Sequence, residues 1–190
     1  VTTIAGVAWV RNAIMAALLC CMSLPAARAA GGAGDIEAQV KAAYIYRFAE
    51  HIEWPPATFA SNAAPLTIGV VDADPVAAEL NQLRLTRQIK GRAVTVRTLR
   101  SGDAATGIQV LYVGALDGAR LKRALDAAQA QGVLAITDGE GTLASGSAIS
   151  FVQVDSRIRF DVSVVNAERS GLKISARLLA VAHKIEGDRP

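Results

Sequence analysis

The sequence predicts a single α/β domain. Its core would be a central, mainly parallel sheet flanked by helices, with a C-terminal β-hairpin and a final helix at the end. Three observations predict it. Short apolar runs, Leu66 to Val71, Ile108 to Val113 and Val133 to Thr137, read as buried strands. Helical or loop segments alternate with them, the order that places helices on both faces of a parallel sheet, a Rossmann-like layering. The composition, 52% hydrophobic and 19% charged, suits a sheet buried on both sides.

Residues 1–29 read as a cleaved secretory signal. Arg11 supplies the positive flank, Ala13 to Leu24 the apolar stretch, and Ala27-Arg28-Ala29 the small-x-small cleavage pattern. A membrane anchor is the first alternative, since Ile4 to Val10 is also apolar; Arg11 and Pro25 interrupt it. A lipoprotein at Cys20 is the second, opposed by bulky Leu19. Both cysteines, Cys20 and Cys21, lie in this segment, so the exported chain would hold no disulfide and depend on its core. Removing Arg11 and Arg28 leaves 18 basic against 17 acidic residues. That balance gives no support to nucleic-acid binding or to stable membrane association after cleavage.

Residues 30–34 form a small-residue linker, residues 35–186 the domain and residues 187–190 a polar tail. Asp35 is placed as cap of a first helix, with Ile36, Val40, Ala43, Tyr44, Phe48 and Ile52 as its apolar stripe. Pro55 and Pro56 stop it. Asp74 and Pro75 start a second helix through Leu85 after the strand Leu66 to Val71. Ile89 to Arg92 is a turn, Val94 to Leu99 a strand and Ser101 to Gly107 a loop. Ala119 to Ala130 is a helix ended by Gly132. Ala148 to Val154 and Arg157 to Val164 form the hairpin around Asp155-Ser156. Asn166 to Ser170 is a helical turn broken by Gly171, and Ser175 caps a final helix through Ile185.

Catalytic, metal and cofactor constellations are not legible. Gly139-Glu140-Gly141, with Gly146 following, comes after a strand as a phosphate loop would. Its glycine spacing is wrong, no Lys-Ser/Thr follows, and a strand rather than a helix comes next, so it reads as a flexible surface loop. His51 and His183 are the only histidines and lie far apart in sequence, without zinc-ligand spacing. In Arg157 to Asp161, Ile158 and Phe160 would point inward and Arg157, Arg159 and Asp161 outward, as an ordinary solvated strand face or, alternatively, with the two arginines as an anion or partner contact. Tyr46, Arg47, His51 and Trp54 fall off the stripe or beyond the helix end, which makes them a candidate partner or dimer surface. Replacing Tyr46 and Trp54 by Ala should then weaken that contact and spare the fold.

Val40 to Pro55, VKAAYIYRFAEHIEWP, resembles the opening of the YfiR/HmsC-like family of periplasmic proteins. Gly91-Arg92 with the strand after it, Gln109 to Gly114, Ile149 to Phe151, Arg157 to Asp161, Ala167, Gly171 to Ser175 and Leu178-Leu179 are similar to later phrases of that family. The resemblance implies an α/β fold and a periplasmic regulator rather than an enzyme. It also implies a partner, the periplasmic part of an inner-membrane diguanylate cyclase, whose restraint lowers cyclic di-GMP and biofilm or exopolysaccharide output. Dimers are common among such proteins. Relatives carry cysteines where Gly69 and Ile108 stand, so disulfide control would be absent here. A periplasmic small-molecule-binding module linked to envelope transport or sensing is the other reading.

Overall fold

The computed structural model describes residues 32–187. The expected signal segment, the first two residues of the linker and most of the tail lie outside them. The first helix, α1 (Ala33–Glu50), begins two residues before the expected cap. Asp35 still serves its start, because its carboxylate accepts from the Gly32 N–H at 3.1 Å. A two-residue strand β1 (Ile52–Glu53) follows, then β2 (Leu66–Val71), α2 (Asp74–Leu83), β3 (Val94–Leu99), β4 (Val110–Val113), α3 (Gly118–Ala130) and β5 (Leu134–Asp138). The hairpin is β6 (Ile149–Val154) with β7 (Arg157–Ser163). Its turn residues Asp155 and Ser156 both take positive φ, 49° and 57°, as a two-residue hairpin turn of this hand requires. The chain ends through α4 (Val164–Arg169), β8 (Lys173–Ile174), α5 (Ala176–Leu179) and β9 (Lys184–Glu186).

The sheet order is β3-β2-β4-β5-β6-β7-β9. The first five strands are mutually parallel, β7 runs antiparallel to β6, and β9 is parallel to β7. The expected α/β sheet is present. The expected final helix is corrected to the single turn α5 followed by β9. Extended backbone wins there because the His183 N–H donates to the Phe160 carbonyl at 2.9 Å, and Ile185 pairs with Val162.

Side-chain alternation splits the core in two. In β4, Val110 and Tyr112 face the layer of α1 and α2, while Leu111 and Val113 face α3 through Leu121, Leu125 and Ala128. Gly69 leaves the space that Ile108 fills: a Cβ there would lie 2.9 Å from the Ile108 Cδ1. The two positions are thus neighbours, joined by apolar packing.

The glycine-rich segment after β5 is also corrected. It forms a 3₁₀ turn, Thr142–Ser145, with Thr142 and Leu143 buried. Thr142 Oγ1 lies 2.6 Å from Thr137 Oγ1 and 2.7 Å from Ser150 Oγ. Asn166 Nδ2 donates to the Leu143 and Ser147 carbonyls at 2.8 Å each. Each hydroxyl finds partners in its neighbours, so this polar corner can be buried without orphaned groups.

What seats α1 on the sheet is a lysine. Lys41 is 6% exposed, and its ammonium pairs with Glu37 one turn earlier and with Asp138 at the end of β5. Burial works to lower the Lys41 pKa, but hydrogen bonds and charge from Asp138 and Glu37 together hold it above the usual lysine range. The Tyr112 hydroxyl donates to the same Asp138 carboxylate at 3.4 Å. Burial first, then that anion, pushes the Tyr112 phenol well up.

Two stability changes are expected in urea denaturation. Asp138→Asn strips one anion from the buried ammonium and should cost about 1–3 kcal/mol at pH 7. That loss should shrink at alkaline pH, since a raised lysine pKa contributes stability below its unfolded value and loses it as pH climbs through the folded one. Gly114→Ala would place a Cβ 2.2 Å from the Asp72 carbonyl oxygen, and should cost about 1–3 kcal/mol by forcing two loops apart.

Candidate functional site

In open α/β sheets, ligands favour the crevice beyond the strand ends where the strand order reverses. Here that point lies between β2 and β4. It is shut: Gly114, just after β4, sits directly against the Asp72 carbonyl after β2. The site must be sought elsewhere.

The buried residues of α1 are Ala38, Lys41, Ala42, Ile45, Tyr46, Phe48 and Ala49, with Ile52 beyond its end. This is not the expected stripe. Ile36 is 60% exposed, Ala43 is exposed, and Val40 and Tyr44 are half-buried. At about 100° per residue, the inward face is turned by roughly a third of a revolution from the expected one. Phe48 anchors it, 4.7 Å from Phe160 and 5.6 Å from Phe151 between ring centres. Tyr44 spans the boundary, with its ring 5.7 Å from both Phe48 and Phe160.

The rotation leaves an open groove of about 510 Å³ along the outer side of α1. Val40, Ala43 and Tyr44 supply apolar wall, continued by Phe160 of β7, Leu178 of α5 and Val181 beyond it. Arg47, Arg87 and Arg159 line the same groove, with Glu50 as the lone carboxylate. None of the three arginines makes an ion pair among the described residues. Arg159 reaches the groove from a stretch of β7 that β9 does not cover, since β9 pairs only with Asp161 to Ser163.

The expected surface residues therefore divide. Arg47 and Arg159 meet at the groove. Tyr46 lines it too, but as a residue only 2% exposed, so its placement on an exposed contact surface is corrected. Its hydroxyl is buried without a hydrogen-bond partner. Burial pushes that phenol up to about 12, opposed by the nearby Arg84 and Arg87 charges. His51 ends α1, half-buried, and its carbonyl accepts from the Ser175 N–H at 3.0 Å. Trp54 is half-buried against Phe59, ring centres 6.1 Å apart, with the Lys90 ammonium 5.8 Å from its ring. Arg157 is exposed at the hairpin turn. These last three do not line the groove. The double change of Tyr46 and Trp54 to Ala is corrected accordingly: it removes core packing and cannot isolate a contact. Arg87, Leu178 and Val181 were not placed in a site from sequence; Leu178 was read as part of the closing leucine pair.

No three His, Cys, Asp or Glu side chains gather as a metal site among the described residues. His183 Nδ1 instead lies 2.9 Å from Asp161 Oδ1 at the surface. No described helix is long and apolar enough to cross a membrane.

With the groove defined, kinship adds its own evidence. A model of the YfiR/HmsC-like family matches residues 38–183, from the first buried alanine of α1 to the histidine before β9. The chain belongs to the YfiR/HmsC-like family. That is a family of periplasmic regulators. No curated protein matches the sequence. Among solved structures, a conserved domain protein from Vibrio cholerae O1 biovar El Tor aligns at TM-score 0.50 and 15% identity, over 78% of this chain and 60% of that one. An ABC domain in complex with L-Trp from Streptococcus pneumoniae aligns at TM-score 0.48 and 12% identity, over 75% and 60%. This YfiR/HmsC-like chain thus spans 60% of the length of each, and the Vibrio likeness concerns the α/β fold alone.

The orphaned hydroxyl yields a prediction. A phenol raised on folding costs stability as pH climbs from the unfolded pKa near 10 toward the folded value of about 12. Tyr46→Phe should therefore match or slightly exceed the parent in stability at pH 7, and should lose less of it between pH 9 and pH 11. Parallel urea midpoints at the three pH values measure this; an unchanged alkaline slope would contradict it.

Proposed function

We propose that this protein is a periplasmic regulatory binding protein that restrains a membrane-bound diguanylate cyclase and so lowers cyclic di-GMP. Family membership supports regulation. The single structural observation supporting a binding role is the groove: an apolar wall and three unpaired guanidiniums brought together from α1, the segment after α2, and β7. Restraint requires that the protein prefer the inactive arrangement of its partner, since equal affinity for both states shifts nothing. A hundredfold preference is worth about 2.7 kcal/mol. Burying one or two partner side chains on Val40, Tyr44 and Val181 in one state only is enough, at about 1.5–3 kcal/mol each.

A small-molecule module is the second reading, and the groove volume favours it, being within the roughly 300–1,000 Å³ of ligand pockets. Its open course along α1 opposes it, because such pockets enclose most of their ligand. A thermal-shift screen with metabolites would reveal that role.

Deleting the gene should raise cellular cyclic di-GMP, and the wild-type gene should restore it. Val181→Glu, changing a residue already 64% exposed, should leave the fold intact and fail to restore it. An unchanged nucleotide level on deletion would refute cyclase control.

A further inference from the structure

We propose that the groove docks an acidic amphipathic helix of a protein partner, its apolar side on Tyr44 and Val181 and its carboxylates toward Arg47, Arg87 and Arg159. The proposal rests on the reading of this chain as a binding protein and adds the chemistry of what it binds.

Charge selects the occupant. Three guanidiniums face one carboxylate, Glu50, in the groove. Some exposed bases elsewhere are matched locally, Arg120 with Asp117, Lys122 with Asp126 and Lys184 with Glu186, while others, such as Arg123 and Arg177, stand without an ion pair among the described residues. The groove arginines lack such matches too, and gathered on an apolar wall they favour an anionic partner. Guanidinium pairs carboxylates in a planar fork, a stronger and more directional match than a general attraction to anions. A second copy of this chain fits poorly, because a two-fold contact through the groove would set arginines against arginines.

Shape selects a helix. The lining of α1 from Val40 to Glu50 rises about 15 Å, the length of three helical turns. Its wall along α1 is made of side chains, and at the adjoining β7 edge, which β9 pairs only from Asp161 onward, the Phe160 carbonyl is already taken by the His183 N–H. Helix-in-groove recognition meets these terms, with apolar residues at spacings of three and four. Val181, 64% exposed, and Ile36, 60% exposed one turn before Val40, extend the apolar track.

The test places the photo-crosslinker p-benzoylphenylalanine at Ala43 in the full-length protein, expressed in its own cells, with Lys122 on α3 as control position. Mass spectrometry then identifies the crosslinked segment. The expected product joins residue 43, and not residue 122, to a segment of another protein with apolar residues at helical spacing and carboxylates beside them. Arg47→Glu with Arg159→Glu should lower the yield at least tenfold, Arg47→Lys with Arg159→Lys should retain most of it, and reversing the segment's carboxylates to lysine should rescue the glutamate variant. Circular dichroism checks that each variant folds. Crosslinks to a second copy, to lipid or to a segment without carboxylates overturn the proposal, as does no crosslink or a yield indifferent to charge reversal. An acidic helix from a protein that is not a cyclase would uphold this inference and refute cyclase control. Cyclase control through a neutral segment would do the reverse.

Discussion

The domain depends on the burial of one ammonium group. Lys41 lies inside the α1–sheet interface, with Glu37 and Asp138 as its counter-ions. A buried charge without partners would be too costly to keep, so the helix can seat only where that ammonium reaches the end of β5. Translation and rotation of α1 are fixed together. Ala38, Ala42 and Ala49 then face inward, and their short side chains let the helix sit close to the layer below. The aromatic group of Tyr44, Phe48, Phe151 and Phe160 locks the same rotation from the apolar side, at about 0.5–1.5 kcal/mol per ring pair.

The sheet was legible because its signals are local. Leu66–Val71 and Val94–Leu99 match their expected ranges and the other expected strands differ by one or two residues at the ends, while the short strands β1, β8 and β9 were not expected. Continuous apolar runs of four to six residues have few alternatives in an α/β domain. The failures arose where tertiary partners decide. A periodicity argument sends lysine outward, and nothing near Lys41 in sequence announces Asp138, 97 residues away. The final helix failed similarly: Ile185 fits a helical stripe equally well, and only the free edge of β7 turns its segment into β9. The corner Thr142–Ser145 looked like polar loop because serine and threonine are as common in loops as in buried networks. What distinguishes the network is Asn166, whose amide arrives from α4.

The site was half legible for the same reason. Arg47 and Arg159 could be picked as outward charges from helix and strand periods alone. Tyr46 could not be placed without knowing the rotation of α1, because it lies at the flank of the true buried face. Trp54 and His51 stood out only as unusual residues near a helix end, and both are absorbed by local packing and backbone hydrogen bonding. Arg87 and Val181 belong to segments remote in sequence, and it is the fold that brings them to α1.

These constraints bear on where function can reside. The usual ligand crevice of a parallel sheet is filled by backbone, with Gly114 pressed on Asp72. Along α1 the fold leaves apolar surface and unpaired charge together, because the inward face is taken by Lys41 with Ala38, Ala42, Ile45, Tyr46, Phe48 and Ala49, which turns Ile36, Val40, Ala43 and Tyr44 outward or to the boundary. Had the stripe of Ile36, Val40, Ala43 and Tyr44 turned inward, Ala38, Ala42, Ile45, Tyr46 and Ala49 would have faced out in its place. The ion pair stabilises one rotation of the helix, and the cost of that rotation is an exposed apolar track beside three arginines. Its persistence in a folded domain is most simply explained by a partner that covers it, since an uncovered track of this kind invites association.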